Sequence, residues 1–147
     1  NLELARDDIT AAIQLNTTSS EALASLGDLS VLAGDFDSAF SSVDRALNLY
    51  PLYHRAYFIR AKAYIGVAEP ALALSDFEHA INLAPTNSDY LFDRGLLYSN
   101  LADYEAAIED FSGAIGLEQR LGLFIIRVPE RSDNLTRNRQ GVLVAAL

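Results

Sequence analysis

The 147-residue sequence has no cysteine, no tryptophan and no methionine, and it has only two histidines. Without cysteine there can be no disulfide, thiolate metal site or cysteine nucleophile, and the redox compartment stays undecided. His54 and His79 have no second ligand at metal-binding spacing. A glycine-rich phosphate loop, a His-Glu-x-x-His motif and a Gly-x-Ser-x-Gly motif are also missing. These absences predict a protein that is not an enzyme and that has no cofactor and no bound metal.

Long apolar runs are missing as well, since none approaches the roughly 20 residues that cross a bilayer. The chain begins without Met or a signal-like opening, inside what reads as a repeat, so we expect a fragment or a processed form. The compartment is undecided, with a slight preference for the cytoplasm. A net charge of −9 disfavours nucleic acid and anionic membranes as partners. Six basic and eighteen acidic residues give residues 1–119 a charge of −12, whereas five Arg and two acids give residues 120–147 a charge of +3.

Small and apolar residues recur with a 34-residue period along most of the chain. The stretch from Pro70 to Pro85 predicts one amphipathic helix, because its apolar residues share a face and Pro85 cannot continue the helix. This stretch has copies in strict register, of which three series are Ala5, Ala39, Ala73 and Ala107; Ala12, Ala46, Ala80 and Ala114; and Ile9, Val43, Phe77 and Phe111. Four copies in register indicate a stacked helical repeat.

Capping and stop signals divide each unit into two helices joined by a turn of a few residues. Thr18 with Glu21 fits a capping box, and Gly34 fits a left-handed helix stop. The next starts are predicted at Asp35 or Asp37, at Asn87 or Ser88, and at Asp103. Because short turns force neighbouring helices to lie antiparallel, each unit should be a helical hairpin.

Two charged series fall within the predicted helices. Arg60 and Arg94 are expected to lay their stems over the core and to keep their charged heads in water. Asp8, Asp76 and Asp110 recur in register, and we interpret them as one repeated position that faces solvent or contacts a helix. Phe77 and Phe111 are expected in the core.

These residues resemble the tetratricopeptide repeat family, whose pattern places Leu, Gly, Tyr, Ala, Phe, Ala and a closing Pro over 34 positions. The matching residues of the third unit are Leu91, Gly95, Tyr98, Tyr104, Ala107, Phe111 and Ala114. The pattern is interrupted by Arg60, Arg94, Ser30 and Gln119, and the last of these stands where a closing Pro is expected. The resemblance implies an all-α fold, a right-handed α-solenoid of helix–turn–helix repeats. It implies an array over residues 1–118, in which 1–17 is the second helix of a partial repeat and 20–53, 54–87 and 88–118 are repeats.

The C-terminal part of the chain lies beyond this pattern. We expect an irregular insertion or linker over 119–134 and a helix over 135–147. The run from Gly141 to Leu147 echoes the run from Gly95 to Leu101, and the distance between the two runs exceeds one repeat by 12 positions. The helix is therefore either the first helix of a fourth repeat or an unrelated capping helix.

The resemblance also implies a function, because in this family the first helices line a concave groove that holds a peptide or helix of a partner. The corresponding residues are Glu21, Asp28, Arg55, Phe58, Lys62, Asp89, Phe92, Asp93, Leu96 and Asn100. Phe58 and Phe92 are either anchors for the partner or padding between first helices. Asp28 and Asp93 do not fit the clamp by which some members grip a terminal carboxylate, so a basic and apolar protein segment fits better.

Two alternatives to this binding module stay open at the level of sequence. The repeats could be a scaffold segment of a longer array that self-associates, in particular through the C-terminal segment. A remote alternative is an RNA-binding helical repeat, which the 34-residue period and the acidic body disfavour.

Overall fold

The computed structural model describes residues 19–120, which form six α-helices and no strand. The helices are α1 (Ser20–Ala33), α2 (Phe36–Leu49), α3 (His54–Gly66), α4 (Pro70–Leu83), α5 (Ser88–Asn100) and α6 (Tyr104–Arg120). They pair as three hairpins, and α3 packs on both helices of the first hairpin while α5 packs on α4. The fold is an all-α solenoid, as expected. The predicted elements over 1–17 and 135–147, and most of 119–134, lie outside the described residues.

None of the helices described within residues 19–120 has the length and apolar character needed to cross a bilayer.

Side chains cap the helix starts largely where the sequence predicts. Asp35 accepts a hydrogen bond from the Ser38 N–H, and Asp103 accepts one from the Ala106 N–H. Asn87 caps α5. The first start differs, because Ser19 and not Thr18 is the N-cap of α1 and accepts from the Ala22 N–H. Four hydroxyl residues stand in a row here, and the pattern alone does not select among them.

The turn inside each hairpin contains one residue in the left-handed region. Gly34 has φ 75°, Ala68 has φ 60° and Ala102 has φ 62°. The three residues occupy equivalent positions of successive repeats, so each hairpin turns in the same way. Only glycine adopts this conformation without a steric penalty, and the two alanines therefore hold strained turns.

Small residues let the two helices of each hairpin approach closely. Ala39, Ala73 and Ala107 are all buried, as expected from their shared position. Phe77 is fully buried and packs with Ala61, Ala73 and Leu97, which come from three different helices. α6 continues through Gln119 to Arg120, past the position where the equivalent α4 ends, because no proline stops it.

Candidate functional site

The first helices of the three hairpins, α1, α3 and α5, present a common surface that we call the first-helix surface. Its centre is Asp28 on α1, whose carboxylate binds two cations of α3. Lys62 Nζ lies 3.0 Å from Asp28 Oδ1, and Arg55 Nη2 lies 3.5 Å from Asp28 Oδ2. All three side chains are partly exposed. The structure thus brings together three of the candidate groove residues and engages both cations with one carboxylate.

Asp93 lies on α5, within electrostatic range of Lys62. The pKa of Asp93 is raised above its ordinary value, mainly because burial removes water from the carboxylate. The positive charge of Lys62 opposes this rise and the negative charge of Asp89 adds to it. Within residues 19–120, no hydrogen bond or salt bridge joins the Asp93 carboxylate to another group. Within the described residues this carboxylate is therefore partly buried and forms no salt bridge.

Phe58 takes part in the packing of successive hairpins. Its ring stacks on the Tyr90 ring of α5 with centroids 4.6 Å apart, and it lies 6.0 Å from the Phe77 ring. Lys62 Nζ lies 5.4 Å from the centroid of the Phe58 ring. Of the two roles open from the sequence, these contacts favour padding between first helices for Phe58.

Phe92 occupies the same position in the third hairpin but is half exposed. Its ring lies 5.6 Å from that of Phe111, and 50% of its surface is accessible. The remaining candidates, which are Glu21, Asp89, Leu96 and Asn100, are exposed. In the part of the chain that the structure describes, no side-chain hydrogen bond or ion pair joins these four to the Asp28 cluster.

Two bidentate ion pairs lie inside the hairpins, and sequence reasoning missed them. Arg60 Nε and Nη2 donate to both carboxylate oxygens of Asp76 at 2.7 and 2.9 Å. Arg94 makes the same pair with Asp110, at 2.8 and 2.7 Å. Each pair joins the first helix of a hairpin to its second helix. The expectation that the arginine heads lie in water is wrong, because each head binds a buried carboxylate.

These pairs raise the pKa of both arginines above the ordinary value, and the hydrogen bond to the aspartate is the main cause. Arg60 also donates to Asp44 of α2 at 2.9 Å, which connects the second hairpin to the first. The sequence does contain a signal for these pairs. Arg60 and Arg94 are 34 residues apart, and so are Asp76 and Asp110, so an arginine and an aspartate recur together in successive repeats.

The first hairpin lacks this pair and has a cleft instead. Leu26, Ser30 and Ser42 stand where the second hairpin has Arg60, Tyr64 and Asp76. These smaller side chains line an open cleft of about 510 Å³ between α1 and α2. The cleft therefore follows from the loss of three large or charged side chains at equivalent positions.

The two histidines lie apart and serve local contacts. His54 Nδ1 is 2.7 Å from the Tyr90 hydroxyl, and burial raises the pKa of that phenol. His79 is exposed, stacks on Tyr57, and has Nδ1 2.8 Å from the Ser75 carbonyl. Among the residues between 19 and 120, no three His, Cys, Asp or Glu side chains are grouped to hold a metal ion.

Solved structures share this fold. The crystal structure of MamA superposes on this chain with a TM-score of 0.72 at 24% sequence identity, and the match covers 84% of this chain and 72% of the MamA chain. MamA 41-end from Desulfovibrio magneticus RS-1 gives 0.70 at 19% identity, over 81% and 67%. TTC0263, a thermophilic TPR protein in Thermus thermophilus, gives 0.74 at 22% identity, over 80% and 66%. At these identities the likeness concerns the fold alone. No curated protein sequence matched the chain.

Family models identify the repeats themselves. Two models described as tetratricopeptide repeat match residues 54–87 and 76–109, and together they span α3, α4, α5 and the start of α6. Proteins of this kind are typically interaction modules and scaffolds without catalysis. The repeat period, the stacked hairpins and these matches agree that the chain contains tetratricopeptide repeats, a kind of repeat found in protein–protein interaction modules.

Proposed function

We propose that the first-helix surface holds a segment of another protein, as an extended peptide or a helix, that carries basic and apolar side chains. The observation that carries this proposal is the Asp93 carboxylate, which is partly buried and forms no salt bridge or hydrogen bond within residues 19–120. Desolvating a charge is costly unless a partner compensates for it. A Lys or Arg of the bound segment at Asp93 would supply that compensation.

The balance of charge on the surface supports the same class of partner. Arg55 and Lys62 are engaged by Asp28, so they offer little free positive charge to an acidic ligand. Asp89 and Asp93 lie together on α5 and repel each other, as the effect of Asp89 on the Asp93 pKa indicates. Complementary charge speeds encounter and rejects acidic competitors.

Apolar contact would supply the rest of the affinity. Leu32 at the end of α1 and Ile65 at the end of α3 are both exposed. Leu32 follows Asp28 by four residues and Ile65 follows Lys62 by three, so each lies on the same side of its helix as a residue of the Asp28 cluster. An amphipathic segment could therefore cover leucine and isoleucine with its apolar side and meet the α5 carboxylates with its basic side.

A random-peptide phage library selected on the intact chain tests the proposal. We expect the enriched peptides to combine Lys or Arg with large apolar residues and to shift the backbone NMR signals of α1, α3 and α5. Asp93→Asn should weaken the binding of these peptides. Glu109→Gln is the matched control, because it removes one exposed charge from the second helix α6 and should leave binding unchanged.

The pH dependence of binding gives a second readout. A bound cation would lower the raised pKa of Asp93, so affinity should be constant above that pKa and should be lost as the pH falls through it. Asp93→Asn should flatten this dependence. Enriched peptides without basic residues, or shifts confined to α2, α4 and α6, would exclude the proposed surface.

A further inference from the structure

The outer side of the third hairpin exposes positions that are covered in the second hairpin. We call this side the terminal face and define it by Phe92, Ile108, Phe111 and Ile115. Their counterparts one repeat earlier are Phe58, Leu74, Phe77 and Ile81, which are partly or fully buried. Phe77 is fully buried whereas Phe111 is only partly so, and Ile108 is 65% exposed. All four positions lose cover at the same step of the solenoid.

The cover of the second hairpin comes from the first helix that follows it. Tyr90 of α5 stacks on Phe58, and Leu97 of α5 packs with Phe77 in the core between hairpins. A solenoid that ends without such a cover leaves apolar surface in water, which is why repeat arrays need terminal caps. Within residues 19–120, the terminal face therefore lacks the equivalent of α5.

We propose that residues 135–147 of this chain cover the terminal face as the first helix of a fourth repeat. The sequence continues from 121 to 147 after Arg120, and the first helices α3 and α5 need 13 residues each. Residues 135–147 supply that length. The inference concerns the end of the solenoid and does not depend on the proposed binding function.

An uninterrupted 34-residue register cannot provide this helix. It would put Pro129 at the position of Gly95, in the middle of a first helix, where proline removes a hydrogen bond and clashes with the preceding turn. It would also put Arg131 at the position of Leu97, which is 5% exposed. The proline would interrupt the helix, and the arginine would replace a side chain that is buried against the previous hairpin.

A register lengthened by 12 positions restores the required side chains. Gly141 takes the position of Gly95, which abuts the second helix of its own hairpin, and Leu143 takes that of Leu97. The 12 extra positions fall between α6 and the proposed helix, and that segment contains Pro129. The same residues that fail as a helix in the first register thus serve as a connection in the second.

The contact between neighbouring first helices supports this offset independently. Between α1 and α3, Asp28 binds Arg55 and Lys62. The corresponding contact at the end of the solenoid is the one between α5 and the proposed helix. There Leu96 stands at the position of Asp28, and Leu135 and Val142 stand at the positions of Arg55 and Lys62. All three charged residues of the α1–α3 contact are thus replaced by apolar residues, so the facing side chains of α5 and the proposed helix remain compatible with each other.

Cross-linking tests the inference, because the chain has no native cysteine to interfere. Leu96→Cys with Val142→Cys is treated with a short bifunctional maleimide. Asp28→Cys with Lys62→Cys is the positive control, since it places the same pair of positions between α1 and α3. Leu96→Cys with Glu130→Cys tests the uninterrupted register. Circular dichroism of each variant verifies that the helices are retained.

We expect the 96–142 pair to cross-link within one molecule at the rate of the control pair, and about tenfold faster than the 96–130 pair, because proximity sets the effective concentration. Failure of the 96–142 pair while the control pair reacts would overturn the inference. So would faster reaction of the 96–130 pair. Cross-links that join two molecules and grow with protein concentration would assign the terminal face to a second copy of the chain instead.

Discussion

The Arg94–Asp110 pair makes the sharpest prediction about stability. Asp110→Ala removes both acceptors of a guanidinium whose side chain is only 22% exposed. Removing one partner of a buried pair costs about 3–5 kcal/mol, since the other charge stays desolvated. Because water reaches part of Arg94, we expect the lower end, about 3 kcal/mol. Asp76→Ala should cost less, because Arg60 keeps Asp44 as a partner.

The first hairpin supplies the control for this experiment. It has Leu26 and Ser42 at the positions equivalent to Arg94 and Asp110. Arg94→Leu combined with Asp110→Ser therefore gives the third hairpin the residues that the first hairpin already has. Replacing both members of a buried pair with well-packed neutral residues is often nearly neutral. We expect the double change to cost about 1 kcal/mol, although Arg94→Leu alone should cost about 3 kcal/mol by leaving Asp110 unpaired.

Urea denaturation at room temperature measures the free energies of unfolding of the original chain, Arg94→Leu, Asp110→Ser and their combination, which form a double-mutant cycle, and of Asp110→Ala beside them. Far-UV circular dichroism and tyrosine emission must give coincident transitions before the free energies are compared, because terminal repeats can unfold separately. Tyrosine emission is usable since the chain has no tryptophan. A cost below about 1 kcal/mol for Asp110→Ala, or a double change as costly as the sum of the single ones, would refute the assigned role of the pair.

Three further changes test other parts of the structure by thermal unfolding. Ala102→Gly should stabilise by about 0.5–1 kcal/mol, because relief of the positive φ outweighs the entropy cost of glycine; a loss of stability would contradict the strained turn. Gly27→Ala should cost about 1–3 kcal/mol, since its Cβ would lie 2.7 Å from the buried Val43, whereas Gly116→Ala has open space and should be tolerated. Burial raises the pKa of Asp93, so the folded chain binds this proton more tightly than the unfolded chain, and stability falls as the pH rises through the ordinary carboxyl range to the raised value. Asp93→Asn should remove that fall, and an unchanged pH profile would contradict it.

The fold was predictable because repetition adds information that a single helix lacks. One amphipathic stretch predicts a helix but not the element against which it packs. The equivalent positions of Ala39, Ala73 and Ala107 predict that each second helix packs against its first helix in the same way. The turn at Gly34 was predictable from the residue itself, because glycine favours the left-handed conformation at a helix end. Ala68 and Ala102 adopt its conformation against their own preference, which only the 34-residue register could have indicated.

The candidate site was predictable in part. The sequence assigns Asp28, Arg55 and Lys62 to one face, and the structure places them in contact. Hydropathy could not tell whether a long charged side chain turns to water or to a carboxylate on the next helix, so the partner of Arg60 was missed. The cover over Phe58 depends on Tyr90, which belongs to the next hairpin and reaches the ring only through the stacking of hairpins.

The ion pairs of this solenoid are of two kinds, those within one hairpin and those between successive hairpins, and the difference affects how a partner would bind. The buried pairs of Arg60 and Arg94 join the two helices of one hairpin, so a ligand cannot compete for them without opening the hairpin. The Asp28 cluster joins first helices of successive hairpins on the proposed binding surface, and a cationic ligand there would have to displace Arg55 or Lys62. At Asp93 no such displacement is needed, and a ligand cation would relieve the desolvation that raises its pKa. The basic side of a bound segment should therefore face the carboxylates of α5, and its apolar side should cover Leu32 of α1 and Ile65 of α3.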